Sequence, residues 1–250
     1  MIRQLLIALG FLTRLPIGHV PCSARDIGHS ARWFPLVGAL LGAIYAATAR
    51  FAGPFFPPLV TAVFIIAIDG LITGAMHFDG LADTADGFGG GRTPDDVLRI
   101  MRDPAIGSYG ACALSLAIAL KIAAVGALIG TPAAVPAILL APTVGRWSAV
   151  FSSVLADYAR PIADDSAKSV GSPTRFVGRI ELLVASAITV AVAVALRQWR
   201  GAAALFLVVA TTAVWTSICR NRIGGVTGDT LGAGVELSEC VGLIVFTVHW

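Results

Sequence analysis

The chain has little charge and few cysteines for its length. Asp, Glu, Lys and Arg make up 13% of its 250 residues, whereas hydrophobic residues make up 56% and the mean hydropathy is +0.82. This composition excludes an ordinary water-soluble domain and indicates an integral membrane protein. The four cysteines have no CxxC spacing, so neither a zinc site nor a disulfide framework is expected.

Several motifs of well-known enzyme classes are also missing. The sequence contains no Walker A loop, GxSxG elbow, HExxH helix or GxGxxG fingerprint. These absences argue against P-loop, serine-hydrolase, zinc-protease and dinucleotide-binding chemistry. The formal net charge is only +3, and membrane topology explains its clustering in loops, so no nucleic-acid partner is predicted.

Seven apolar stretches are long enough to cross a bilayer as helices. They lie at about 34–53, 58–78, 107–130, 133–155, 181–198, 201–219 and 232–250. An earlier apolar patch, Leu5 to Leu12, is short, and we interpret it as an interfacial or short re-entrant helix. The sequence therefore predicts an all-α, polytopic transmembrane helical bundle of about seven spans, with residues 1–250 as one membrane domain.

Basic residues lie mainly on one side of this predicted topology. Of the 18 Lys and Arg residues, 13 fall on that side, and Arg50, Arg197 and Arg200 fall opposite. Because cytoplasmic loops carry the excess of basic residues, that side is expected to face the cytoplasm, with the carboxyl terminus outside. The hydrophilic connections 18–32, 79–106, 157–180 and 220–231 lie on the same side, and the chemistry is expected there.

Three carboxylates follow the second apolar stretch within eight residues. If the segment is helical, Asp79, Asp83 and Asp86 stand at i, i+4 and i+7 and therefore share one face. Mg²⁺ and a phosphorylated substrate would relieve the repulsion between them, because Mg²⁺ takes carboxylate and phosphate oxygens as ligands. The alternative is a solvated helix end just beyond the bilayer.

Glycines accompany these acids. Gly87 and Gly89 could let a substrate phosphate approach the backbone, although they could equally be loop residues. Thr93 and Pro94 begin a new helix with Asp95 and Asp96 in its first turn, so these two acids are not site candidates.

Two further segments carry candidate residues. Arg102 could clamp a phosphate and Asp103 could act as a ligand or base, although the two could also simply pair. Arg146, inside an apolar stretch, could oppose acids or a phosphate, or extend to the interface. His77 is interpreted as a spectator at the membrane edge.

The last apolar stretch contains Glu236 and Glu239, which share a helix face at i, i+3. Acids inside a span are costly and are usually functional, so they are expected to converge with Asp79 and Asp83 on one cavity. The preceding Gly-rich segment, which includes Thr227, Gly228 and Asp229, could form a backbone nest for an anion.

These arguments give three sets of predicted site residues. The predicted catalytic residues are Asp83, Asp86, Asp103, Glu236 and Arg102. The predicted substrate-binding residues are Gly87, Gly89, Arg146, Thr227, Gly228 and Asp229. The predicted Mg²⁺ ligands are Asp79, Asp83, Asp86, Glu236 and Glu239.

Six segments together resemble the cobalamin synthase family. They are FLTRLPIG (11–18), WFPLVG (33–38), HFDGLADTADGFGGG (77–91), IMRDPAIGSYG (100–110), GRW (145–147) and GGVTGDTLGAGVELSE (224–239). The resemblance covers essentially the whole chain. The acid-rich core is also similar to the CDP-alcohol phosphotransferase signature, but no Ala-Arg pair follows its first Asp-Gly and its acids are spaced differently.

The resemblance implies an adenosylcobinamide-GDP ribazoletransferase of the bacterial inner membrane. In that reaction the ribose 3′-hydroxyl of α-ribazole, or of its 5′-phosphate, attacks the cobinamide-linked phosphorus of adenosylcobinamide-GDP, and GMP leaves with Mg²⁺ present. The implied partners are these substrates and the lipid bilayer, and a homo-oligomer or a complex with other cobalamin-assembly enzymes is compatible with it.

Two alternative functions stay open at this point. One is a CDP-alcohol-type phosphotransferase of lipid synthesis, and the other is a transporter with an acid-lined cation path. The acids cluster beside Gly-rich loops on one side of the membrane, which favours an enzyme.

Overall fold

A computed structural model describes residues 1–18, 20–160, 172–196 and 199–248 of the chain. These residues form an all-helical bundle, as predicted. The α-helices are α1 (Ile2–Leu12), α2 (Ala24–Ser30), α3 (Phe34–Ala52), α4 (Pro58–Thr73), α5 (Met76–Gly90), α6 (Pro94–Ile100), α7 (Ser108–Leu128), α8 (Ala134–Leu155), α9 (Arg179–Ala195), α10 (Trp199–Ile223) and α11 (Gly228–Thr247).

Each of the seven predicted spans corresponds to one of these helices. Five helical segments are long and apolar enough to cross a membrane, and a sixth is added if α4 and α5 count as one span. The described residues therefore support a multi-pass protein with five or six such spans, and α4 and α9, with 16 and 17 residues, are the shorter of the predicted spans. The predicted span ends at 197–198 and 249–250 lie outside the described residues.

The predicted span 58–78 is wrong in one respect, because the chain bends by 90° between α4 and α5. Gly74 and Ala75 are both left-handed, with φ of 66° and 58°, which ends α4 at Thr73. A side chain on Gly74 would also clash with Arg14, whose backbone N–H donates to the Ile72 carbonyl at 2.7 Å. The acid-bearing segment is therefore a separate helix that leaves the axis of α4.

Helices α8 and α11 lie at the centre of the bundle. Helix α11 packs on α8, α5 and α10, while α3 packs on the other side of α8. Gly80 of α5 and Gly232 of α11 allow the closest approach of these two helices, because a side chain on Gly80 would meet the Asp229 backbone. This crossing fixes the acidic face of α5 against the first turn of α11.

The helix ends that adjoin this crossing follow the sequence predictions. Thr93 caps α6 by accepting the Asp96 backbone N–H at 3.2 Å, which confirms the predicted helix start. Thr227 caps α11 through reciprocal hydrogen bonds with Thr230. The short amino-terminal helix α1 is also present, and it buries Ala8 and Leu12 against the bundle.

Candidate active site

Helix α5 carries its three acids on consecutive turns, as the spacing predicted, but the three side chains do not all face the same surroundings. Asp79 and Asp83 line a cavity of about 510 Å³. Asp86 instead faces the start of α7, where its carboxylate accepts the backbone N–H groups of Gly107 at 2.7 Å and Gly110 at 2.8 Å. Asp86 thus stabilises a helix amino terminus, and its predicted metal-binding and catalytic roles stay untested.

A third carboxylate reaches the cavity from α11. Asp229 lies in the first turn of this helix, next to Gly228, which also lines the cavity. Because Gly80 lets the Asp229 backbone pack directly on α5, Asp79, Asp83 and Asp229 line the same cavity from two helices. Among the described residues, Asp79 and Asp83 have no ion-pair partner.

Arg160 supplies positive charge at this point, and sequence reasoning missed it. Its guanidinium donates to Asp229 at 2.8 Å. An isolated parallel bridge between Tyr158 and Val226 holds it there, and Gly225 makes room for the Asp157 carbonyl. Burial raises the pKa of Tyr158 more than the Arg160 charge lowers it, so the phenol stays protonated.

All four predicted hydrophilic connections contribute residues to the cavity wall, and so does the end of α1, through Phe11 and Leu12. Its wall has an acidic part and an apolar part, and Arg102 and Arg160 are the arginines that line it. The apolar wall includes Phe11, Leu12, Ile27, Ala31, Phe34 and Val177. The prediction that the chemistry lies at these connections stays a prediction.

Glu236 and Glu239 do not line the cavity. They belong to a buried charged network with Asp69, Lys121 and Arg146, in which every residue is 4% exposed or less. The Lys121 ammonium lies 2.6 Å from a carboxylate oxygen of each glutamate and 3.6 Å from Asp69. Arg146 pairs with Glu239, as predicted for a buried cation opposing acids, and lies 3.7 Å from Asp69.

The buried charged network adjoins the cavity at one point. His77, which lines the cavity, has its Nδ1 3.5 Å from a guanidinium nitrogen of Arg146. The carboxylate oxygens of Asp69, Glu236 and Glu239 lie within 4.8 Å of one another, close enough for a cation, but the Lys121 ammonium already lies among them. The assignment of both glutamates as Mg²⁺ ligands therefore stays an untested prediction, because Lys121 would compete with a cation for their carboxylates.

Of the remaining predicted residues, Gly87, Gly89, Asp103 and Thr227 have local packing, turn or capping roles. Gly87 packs against Met101 and Gly89 against the Tyr109 ring, so neither backbone faces the cavity. Asp103 is exposed and accepts the Ala105 N–H at 3.0 Å in a turn. Arg102 lines the cavity, whereas Thr227 lies behind it as a buried helix cap.

Two residues of the buried charged network went unrecognised in the sequence although a signal was present. Asp69 and Lys121 are charged residues inside apolar stretches, where a charge is costly without a partner. Tyr45 also joins the network, because its hydroxyl donates to Asp69 at 2.6 Å. Arg160 had no comparable signal, since its position depends on a bridge between distant parts of the chain.

The apolar helices and the cavity with converging carboxylates define a multi-pass membrane protein with a polar site at one end of its bundle. The chain matches the model of the cobalamin-5-phosphate synthase family over residues 4–247. It belongs to that family, so the resemblance is confirmed, and the family consists of enzymes.

Curated relatives agree over nearly their whole length. The chain is 39% identical to an adenosylcobinamide-GDP ribazoletransferase of Syntrophobacter fumaroxidans, with 93% of each chain covered. It is 36% identical to the protein of that name from Shewanella baltica (strain OS195), covering 97% of this chain and 93% of the relative. A Rhizobium etli protein of that name is 37% identical, covering 93% and 91%. No solved structure matches the chain.

Proposed function

We propose that the chain transfers the adenosylcobinamide phosphate moiety of adenosylcobinamide-GDP to α-ribazole or its 5′-phosphate. The ribose 3′-hydroxyl forms a new bond to the cobinamide-linked phosphorus and loses its proton, while the phosphorus–oxygen bond to GMP breaks. The product is adenosylcobalamin or its 5′-phosphate. The observation that carries this proposal, beside the family, is the convergence of Asp79, Asp83 and Asp229 on one cavity.

Asp79, Asp83 and Asp229 are the residues that would hold Mg²⁺ in the cavity. Asp79, Asp83 and Asp229 offer hard oxygen ligands from two helices, and Arg160 compensates only part of their charge. A bound Mg²⁺ would neutralise the negative charge of the diphosphate and of the leaving GMP. Asp86 and Glu236 are weaker candidates, because backbone N–H groups and Lys121, respectively, already engage their carboxylates.

Other groups of the cavity suit an anionic substrate. Arg102 and Arg160 line it, and guanidinium groups bind phosphate oxygens in bidentate geometry. The amino terminus of α11 reaches it at Gly228, where the helix dipole favours negative charge. These groups orient the diphosphate beside the three acids, which is the positioning that phosphoryl transfer requires.

The cavity is proposed to face the cytoplasm from the bacterial inner membrane. Support comes from the 13 basic residues on the side of the connections that build it. Nucleotide and diphosphate substrates are also available on that side.

GMP release in detergent tests this function. The purified protein should release GMP only when adenosylcobinamide-GDP, α-ribazole and Mg²⁺ are all present, and equal amounts of GMP and corrinoid product should form. GMP release without α-ribazole would indicate a hydrolase. Activity with a CDP-alcohol and no activity with adenosylcobinamide-GDP would overturn the proposal.

A further inference from the structure

The apolar part of the cavity wall has no role in the chemistry described so far. It is built by two segments that the sequence analysis singled out, FLTRLPIG (11–18) and WFPLVG (33–38), which supply Phe11, Leu12 and Phe34. Ile27 of α2 and Val177, just before α9, complete it. Phe11, Leu12, Phe34 and Val177 lie in or against the main hydrophobic core, so this part of the wall is fixed by the fold.

Phe11 and Phe34 pack against each other in this wall. Their rings are stacked, with centroids 5.7 Å apart and planes inclined by only 12°. Val177 is held by a turn in which its N–H donates to the Thr174 carbonyl at 3.0 Å. An aromatic and aliphatic wall with few polar groups suits a planar apolar ring, and a buried polar base would lose hydrogen bonds there.

We propose that this apolar wall is the subsite for the aromatic base of the ribazole acceptor, an inference that rests on the proposed function. The benzimidazole base of ribazole leaves only one ring nitrogen to hydrogen bond once the other carries the ribose. The guanine of the donor has several donors and acceptors, which this wall cannot satisfy. The ribose of ribazole then extends from the apolar wall toward Asp83 and Asp229.

Cavity size limits which part of the donor can enter the cavity. A volume of about 510 Å³ lies within the range of about 300–1,000 Å³ for small-ligand sites and suits a nucleoside. A corrin ring with its adenosyl group and amide side chains is much larger than a nucleoside. The corrinoid must therefore lie largely outside the cavity, and only its diphosphate needs to reach the acids.

The test is the binding of ribazole to two Val177 variants. Val177→Ala removes two methyl groups from the apolar wall and should raise the Kd and KM for ribazole about tenfold. Val177→Thr keeps the shape but places a hydroxyl against the base, so it should act in the same direction. Val190→Ala is the matched control, because Val190 is half-exposed on α9 and does not line the cavity.

Two measurements separate this inference from the proposed function. Equilibrium dialysis with labelled ribazole reports binding without turnover, and excess guanosine should not displace the ribazole. The KM for adenosylcobinamide-GDP should stay unchanged in both Val177 variants. A rise in that KM with unchanged ribazole binding would overturn the subsite while leaving the function intact. A wild-type protein that binds ribazole but releases no GMP would overturn the function and retain the subsite.

Discussion

The cavity and the buried charged network differ in how their charged groups are paired. Among the described residues, the cavity is lined by Asp79, Asp83, Asp229 and two arginines, and of these acids Asp229 alone has an ion-pair partner, Arg160. The buried charged network has three acids and two bases, but it is sealed from solvent and its charges are in direct contact. A buried carboxylate needs its partner to offset the cost of burial, whereas Asp79 and Asp83, which line the cavity without an ion-pair partner among the described residues, are available for a metal ion or a substrate.

Helix α11 connects the two regions. It carries Asp229 in its first turn and Glu236 and Glu239 about two turns later, so the same helix serves the cavity and the buried charged network. Helix α5 is similar, since His77 contacts Arg146 while Asp79 and Asp83 line the cavity. The buried charged network therefore holds in place the two helices whose acids form the candidate site.

The largest expected effect on activity comes from Asp83→Asn. Losing one carboxylate from the cavity should lower turnover about 10²–10³-fold or more, because the substitution removes charge where the diphosphate binds. Thermal unfolding should be unchanged, since Asp83 is only half-buried at the cavity wall. Asp95→Asn, in the exposed first turn of α6, is the control. Near-normal GMP release by Asp83→Asn at limiting Mg²⁺ would contradict the assignment.

Lys121→Met should have the opposite profile, with its main effect on stability. Removing the ammonium leaves the buried carboxylates of Glu236 and Asp69 without this cation, which should lower the free energy of unfolding by about 3–5 kcal/mol. The melting temperature in detergent and the yield of monodisperse protein report this loss. Arg50→Met changes an exposed cation of α3 and should leave both unchanged. A fully stable Lys121→Met protein would show that the buried charged network does not hold the bundle together.

A double variant sharpens the comparison further. Lys121→Met combined with Glu236→Met replaces a buried pair by apolar side chains and should recover about half or more of the lost stability. If Glu236 is structural, GMP release should recover together with stability. A stable but inactive double variant would instead assign Glu236 to the Mg²⁺ site, as the sequence analysis predicted.

The sequence was sufficient to predict those structural features that depend only on residues close together along the chain. Apolar stretches gave the helices, the spacing of Asp79, Asp83 and Asp86 gave one helical face, and Thr93-Pro94 gave a helix start. The 90° bend was missed because Gly74 was its only local signal. Ala75, which shares the left-handed conformation, is an uncommon residue there.

Pairings across long stretches of chain could not be predicted. Lys121 and Glu236 are separated by 115 residues, and Arg160 and Asp229 by 69. Such contacts depend on how helices pack, and no spacing rule describes that packing. The distinction between open and paired acids is therefore visible only in the structure, although both groups are equally conspicuous in the sequence.

Asp86→Asn should have the smallest effect on activity and stability. It tests the acid that the sequence spacing places on the same helical face as Asp79 and Asp83. The Asp86 carboxylate accepts two backbone N–H groups at the start of α7, where the helix dipole also stabilises its negative charge. An amide keeps only one acceptor oxygen, so the loss should be about 1 kcal/mol of stability, as for other helix caps. Turnover at saturating Mg²⁺ should stay close to that of the wild type, and the Mg²⁺ concentration for half-maximal activity should not shift. A loss of GMP release as large as that of Asp83→Asn, with unfolding unchanged, would show that Asp86 is a metal ligand and that the open site extends to all three acids of α5.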